Sequence, residues 1–329
     1  MPSLRAALPC ALIAFAAACP SSGGGHPPTP PAPAGPLATS HRLDGATAAE
    51  PTAIVATAPA ASPLERYLAG DRTFGVFPIA DAARCDAPSW TATAAAIGMG
   101  DSVLLPPGTV LVGTTVTVGA MTGGIVDDLG AILVALRDAG GSDIDGHHVC
   151  VVPAAGVGVA LSTGNGFIAF EPAAILQMND LIPDAERTMY SASVAFAHEL
   201  AHQIQYWYGN PFADDKSVRR TELAADCMGS AFVAMTRPSG WIMDEVERGA
   251  VGALQAYADL KFRSKAHHGT RYDRARMAHD GIGVVAASRR DAATLDLATI
   301  KNACEAAVLA WDASQTLTPP DQLWGGTED

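Results

Sequence analysis

The chain has 329 residues, of which 49% are apolar and only 17% charged, with a formal net charge of −13. That length allows one sizeable core or two small ones. An acidic chain without a basic patch cannot neutralise phosphates, so nucleic acid is excluded as an expected partner, and attachment to a membrane surface by charge is disfavoured.

The N-terminus reads as an export signal. Arg5 is a positive n-region, Ala6 to Ala18 a short apolar h-region, and small residues lead to Cys19. The apolar run is too short for a spanning helix. Ala16-Ala17-Ala18-Cys19 resembles a bacterial lipoprotein processing site, which makes Cys19 the expected lipidation point and residues 1–19 a signal peptide. Ordinary cleavage nearby, leaving Cys19 free, is the alternative. Residues 20–63 are rich in Pro, Ala, Gly, Ser and Thr with few large apolar side chains, a composition that makes a tether and not a core. The expectation is an exported chain, lipid-anchored to a bacterial cell envelope. No stretch of the body reads as long and apolar enough to span a bilayer.

Residues 64–329 are expected to form the folded domain, with a motif-bearing core at about 120–285. Val103-Leu104-Leu105, Val110-Leu111-Val112 and Thr114 to Val118 read as short strands around Pro106-Pro107-Gly108. Ile125 to Arg137 has helical period and stops at Gly140-Gly141. His148–Val152 and Gly166–Phe170 read as strands, the second expected to be the edge strand along a cleft. Helices are expected at about Ala185–Tyr208, Ser217–Met235 and Met243–Leu260. Thr270-Arg271-Tyr272-Asp273 has the form of a capping box opening a helix to about His279, and a last helix covers about Ala292–Ala313. The fold class is α+β, a small β-sheet followed by mostly helices.

Cys85, Cys150, Cys227 and Cys304 lie in the folded part of the chain. In an exported protein four thiols suggest two disulfides, of three possible connectivities. A cysteine-rich metal site is the other use, but no Cys-x-x-Cys spacing is present.

The chemistry lies in His198-Glu199-Leu200-Ala201-His202 and Glu222-Leu223-Ala224-Ala225-Asp226. On a helix, residues four apart share a face, so two imidazoles point one way with a carboxylate beside the first. Glu222 and Asp226 repeat that spacing with acids. The flanks Ser191–Ala197 and Ile204, Tyr206 and Trp207 are apolar nearly all round, so the helix reads as buried and both aromatics as core. Burying two histidines and a glutamate without partners is costly, and a metal removes that cost.

His198, His202 and Glu222 are the expected ligands of one Zn2+ per chain with an open fourth position. Glu199 is then placed as general base. Asp226 is the expected acceptor for an N–H of a ligating histidine, most simply His198. Asp226 as third ligand in place of Glu222 is the competing assignment. A third histidine six residues past His202 is absent, because position 208 is Tyr. His147, His148, His267 and His279 have no spacing that recruits them to the metal.

His198-Glu-Leu-Ala-His-Gln-Ile-Gln205, Ser217-Val-Arg-Arg-Thr-Glu-Leu-Ala-Ala-Asp-Cys227 and His268-Gly-Thr-x-x-x-Arg274 with Gly281 beyond resemble a family of bacterial neutral zinc metallopeptidases, similar in layout to the gluzincins. The resemblance runs from about Cys150 to Gly281, less than half the chain, and the segment before Gly119 has no counterpart in it. It implies a zincin-like metallopeptidase domain, a protein or peptide substrate, and export or membrane attachment. His268 either stabilises the oxyanion in the cleft or, with Arg274, fixes the start of a helix behind the site. The alternative function is a non-catalytic zinc-containing envelope binding or assembly lipoprotein.

Overall fold

The computed structural model describes residues 66, 87–140, 147–182, 190–215, 217–237, 243–256, 268–291 and 293–315, all within the unit Ala58–Asp329. The expected signal peptide, Cys19, the tether and Cys85 lie outside the described residues.

Among them are eight helices and one four-stranded sheet, a mixed α+β arrangement. In chain order these are α1 (Ala87–Ala96), β1 (Val103–Leu104), α2 (Val118–Asp138), β2 (Cys150–Ala155), β3 (Ala160–Ser162), β4 (Phe167–Phe170), α3 (Pro172–Leu181), α4 (Tyr190–Tyr208), α5 (Arg219–Met235), α6 (Met243–Ala256), α7 (Arg271–Asp291) and α8 (Leu297–Gln315). The sheet order is β1-β2-β4-β3, with β2 parallel to β4 and both outer strands antiparallel to their neighbours.

Strand alternation divides the sheet's side chains between two apolar layers. Val151, Ile168 and Phe170 join the main core with α2, α4, α5 and α7, where Phe170 meets Phe196 edge-on at 5.4 Å. Cys150, Val152, Phe167 and Ala169 face the other way onto Trp90 and Ala94 of α1. Because both faces of β4 are covered, all four of its residues are buried. It is paired on both sides, so it is not the edge strand expected from sequence. The edges are β1 and, beside β4, β3, which is held to β4 by the register Ala160↔Phe170, Leu161↔Ala169 and Ser162↔Ile168.

Other expectations also change. The segment 110–118 forms only an isolated bridge, Val110↔Thr117, in place of two strands. Thr117 instead caps α2, its Oγ1 accepting from the Ala120 N–H at 3.2 Å, so the helix starts seven residues before Ile125. By length and composition α2 is long and apolar enough to cross a membrane, contrary to the reading of the body. Its segment Leu129–Leu136 is buried in the main core. The capping box is present in full: Thr270 Oγ1 accepts from the Asp273 N–H at 3.1 Å and Asp273 Oδ2 from the Thr270 N–H at 2.9 Å. The helix it opens, α7, runs to Asp291, well beyond His279.

Two glycines allow the helices that carry the site to touch. A Cβ at Gly229 of α5 would lie 2.7 Å from the His198 backbone nitrogen, so α4 and α5 cross in backbone contact there. A Cβ at Gly281 of α7 would lie 2.0 Å from the Cys227 carbonyl oxygen. Cys227 is joined to Cys304 of α8 by a disulfide, and Cys150 is also disulfide-bonded. Cys150, Cys227 and Cys304 are therefore used structurally.

Candidate metal centre

The crossing of α4 and α5 brings three donors to one point. His198 Nε2 lies 3.1 Å from His202 Nε2. Glu222 Oε2 lies 3.3 Å from His198 Nε2, and Oε1 lies 3.4 Å from His202 Nε2. Two imidazole nitrogens facing each other at that distance, with a carboxylate against both, need a shared cation or proton between them. The cluster could hold a metal ion.

The outer ring nitrogens are held from behind. His202 Nδ1 lies 2.7 Å from Gln205 Oε1, and the Gln205 amide donates to the Thr221 carbonyl at 2.9 Å. Those contacts make Nδ1 the protonated nitrogen and leave Nε2 free to ligate. His198 Nδ1 lies 2.7 Å from Asp226 Oδ1. Asp226 sits on this far side and is fully buried, whereas the Glu222 carboxylate reaches both Nε2 atoms. Glu222, and not Asp226, therefore belongs to the three-donor cluster that could hold a metal ion.

Burial lowers the His198 pKa, but hydrogen bonds and charges from Asp226 and Glu222 outweigh it and push it up to about 10 in the metal-free protein. Burial also raises Glu222, yet hydrogen bonds from His198, His202 and His268 hold it well below the ordinary carboxylate range. Glu199 is buried beside His198 on the same helix. Burial raises its pKa against the opposing pull of His198 and His202.

His268 is brought to the site. Its Nδ1 lies 3.1 Å from Glu222 Oε2, with the side chain 46% exposed, and it stays outside the three-donor cluster. Arg274 does not merely fix a helix start: its guanidinium makes two hydrogen bonds to Asp226, at 2.8 and 2.6 Å. This partnership was missed in the sequence, although the spacing of His268 and Arg274 in one motif was a signal that they serve one site. Asp273, which caps α7, also accepts from Arg219 Nη2 at 2.9 Å and from Trp311 Nε1 at 2.8 Å. Through these contacts α8 braces the segment carrying His268.

Tyr206 is not a core residue, being 56% exposed. Trp207 is half-buried against the core and stacks on His147 at 4.3 Å. His279 pairs with Glu247 at 2.8 Å on the surface, away from this cluster. Comparison with family models, with curated proteins and with solved structures finds no match to this chain.

Proposed function

We propose that the chain is a zinc-dependent peptidase with a zincin-like domain, exported and held to a bacterial envelope by lipid on Cys19. The observation that carries this reading is the spacing of the three donor atoms, 3.1 to 3.4 Å apart. Tetrahedral zinc with nitrogen and oxygen bonds of about 2.0–2.1 Å sets its donors roughly 3.3 Å apart. Two neutral imidazoles and a carboxylate also suit zinc chemically, and three protein donors leave one position open.

When bound, the metal supplies a Lewis acid that acidifies water and polarises a carbonyl. The chain's own residues do the rest. Glu199, its pKa raised by burial, accepts the proton of the attacking water and returns it to the leaving amine. Asp226 and Gln205 hold the ligand rings by their Nδ1 atoms. His268 hydrogen-bonds Glu222 and fixes the carboxylate that faces both histidines. The resemblance of the three ordered motifs to bacterial neutral metallopeptidases supports the choice of a peptide substrate.

The test is elemental analysis of the chain purified without chelator, followed by peptide hydrolysis. One zinc per chain is expected, lost in His202→Ala and Glu222→Ala. Glu199→Gln should keep the zinc and lose hydrolysis. Zinc retained with no hydrolysis by the unaltered chain would favour the non-catalytic envelope protein instead.

A further inference from the structure

Every residue of α4 from Ser191 to Tyr208 is buried or half-buried except Tyr206. Glu199, Gln203 and Tyr206 stand at i, i+4 and i+7, so they form one stripe beside the ligand stripe of His198, His202 and Gln205. Helical side chains lean toward the N-terminus, which brings the Tyr206 ring back over the turn that carries His202 and toward Glu199. Burial raises the phenol pKa, and the charges of Glu199 and Glu222 raise it further, as expected for a hydroxyl within their field.

The same stripe fixes the sheet edge. The Gln203 amide nitrogen donates to Ser162 Oγ, to the Thr163 carbonyl at 2.8 Å and to the Phe167 carbonyl at 3.1 Å. Thr163 N–H donates to the Phe167 carbonyl at 2.9 Å, so alternation turns the N–H and C=O of Leu161 toward β4 and those of Ala160 and Ser162 outward. Among the described residues no strand pairs with that outer edge. The turn after β3 has no side chain at Gly164, where a Cβ would stand 3.6 Å from the Tyr206 ring. A side chain there would stand against the ring, which glycine does not, and Tyr206 is more than half exposed.

We infer that Tyr206 is the specificity-determining residue of the cleft. Its ring, bared by Gly164 at the end of the open edge of β3, seats an aromatic or long apolar side chain of an extended peptide. This rests on the peptidase reading. The peptide backbone meets Ala160 and Ser162, and one of its side chains meets the ring.

The test uses the full-length zinc-loaded chain and internally quenched peptides that differ at one position. That position carries Gly, Ala, Leu or Phe and is moved across the cleaved bond. At one position the unaltered chain should favour Leu and Phe over Gly and Ala. Tyr206→Ala should reduce that ratio about three- to ten-fold, the worth of an aromatic contact, with zinc content unchanged. Tyr206→Phe should keep it. Calorimetric binding of the same peptides to Glu199→Gln reads the preference without turnover. No cleavage by the unaltered chain overturns the peptidase reading, while the binding series still decides this one. An equal ratio in Tyr206→Ala and the unaltered chain sinks the ring as the seat, as does a Tyr206→Phe variant that loses the preference.

Discussion

Arg274 grips Asp226 with two hydrogen bonds, Nε to Oδ2 at 2.8 Å and Nη2 to Oδ1 at 2.6 Å, and the same Oδ1 lies 2.7 Å from His198 Nδ1. Both partners of the ion pair are almost completely buried. The guanidinium thus sets the carboxylate, and the carboxylate sets the histidine.

Arg274→Lys should keep a positive charge near Asp226 but lose the planar fork. The expected result is metal affinity weakened by about 10- to 100-fold with the fold retained, read by competition with a chelator. Asp226→Asn should be harsher. It leaves a buried guanidinium without its counter-charge, an expected loss of about 3–5 kcal/mol in a denaturant titration. Unchanged metal affinity in both variants would remove Asp226 from any part in holding His198.

Metal binding should release protons. In the metal-free protein His198 is held protonated, its pKa pushed up to about 10, and a ligating Nε2 cannot keep a proton. Below that pKa, raising the pH removes the competing proton, so apparent affinity should rise with pH, about tenfold per unit around neutrality for one proton. Calorimetry of zinc binding in two buffers of different ionisation enthalpy measures this directly. Zero protons released at pH 7 would show that His198 is already neutral before the metal arrives.

The Cys227–Cys304 disulfide ties α5 to α8 across 77 residues of sequence. A loop of that size in the unfolded chain corresponds to about 4–5 kcal/mol of stabilisation. Cys304→Ala with Cys227→Ala should lower the denaturant midpoint accordingly. Both sulfurs are buried, so mild reductant should leave the native protein intact and act only once it is unfolded.

Gly281→Ala should be among the most damaging single changes. Its Cβ would fall 2.0 Å from the Cys227 carbonyl oxygen, which is backbone and cannot swing aside. Separation of α7 from α5 would also pull Arg274 from Asp226. A loss of about 1–3 kcal/mol or more is expected, with weakened metal binding beside it. Gly283→Ala, two residues on with open space at its Cβ, should be nearly neutral and serves as the control.

That His198, His202 and Glu222 come together was legible because the pairs they belong to depend on short helical spacings. Four-residue intervals at His198/His202 and Glu222/Asp226 suffice to put pairs on one face whatever the remainder of the fold does. What depends on distant contacts was not. Phe167–Phe170 reads as any buried strand, and only the presence of α1 on one side and β3 beside it decides that it is interior. The edge strand beside it, Ala160–Ser162, is three half-buried residues with no periodic signal. Helix α1 was missed because alanine on every side leaves only Trp90 and Ala94 to mark a buried face. Helix α3 was passed over although Pro172 at its first turn is a favourable start and not a break. Arg274 could be seen as part of a motif, but its partner 48 residues away could not.

One hydrogen atom acts as the gauge of the three-donor cluster. At Gly229 there is no side chain between α5 and the backbone of His198, so the carboxylate from one helix and the imidazoles from the other approach as closely as main chains permit. A methyl group at that position would press on the backbone of His198 itself and widen the gap between the two helices without meeting a donor atom. The spacing of the three candidate donors would then change through a residue that carries no side chain of its own.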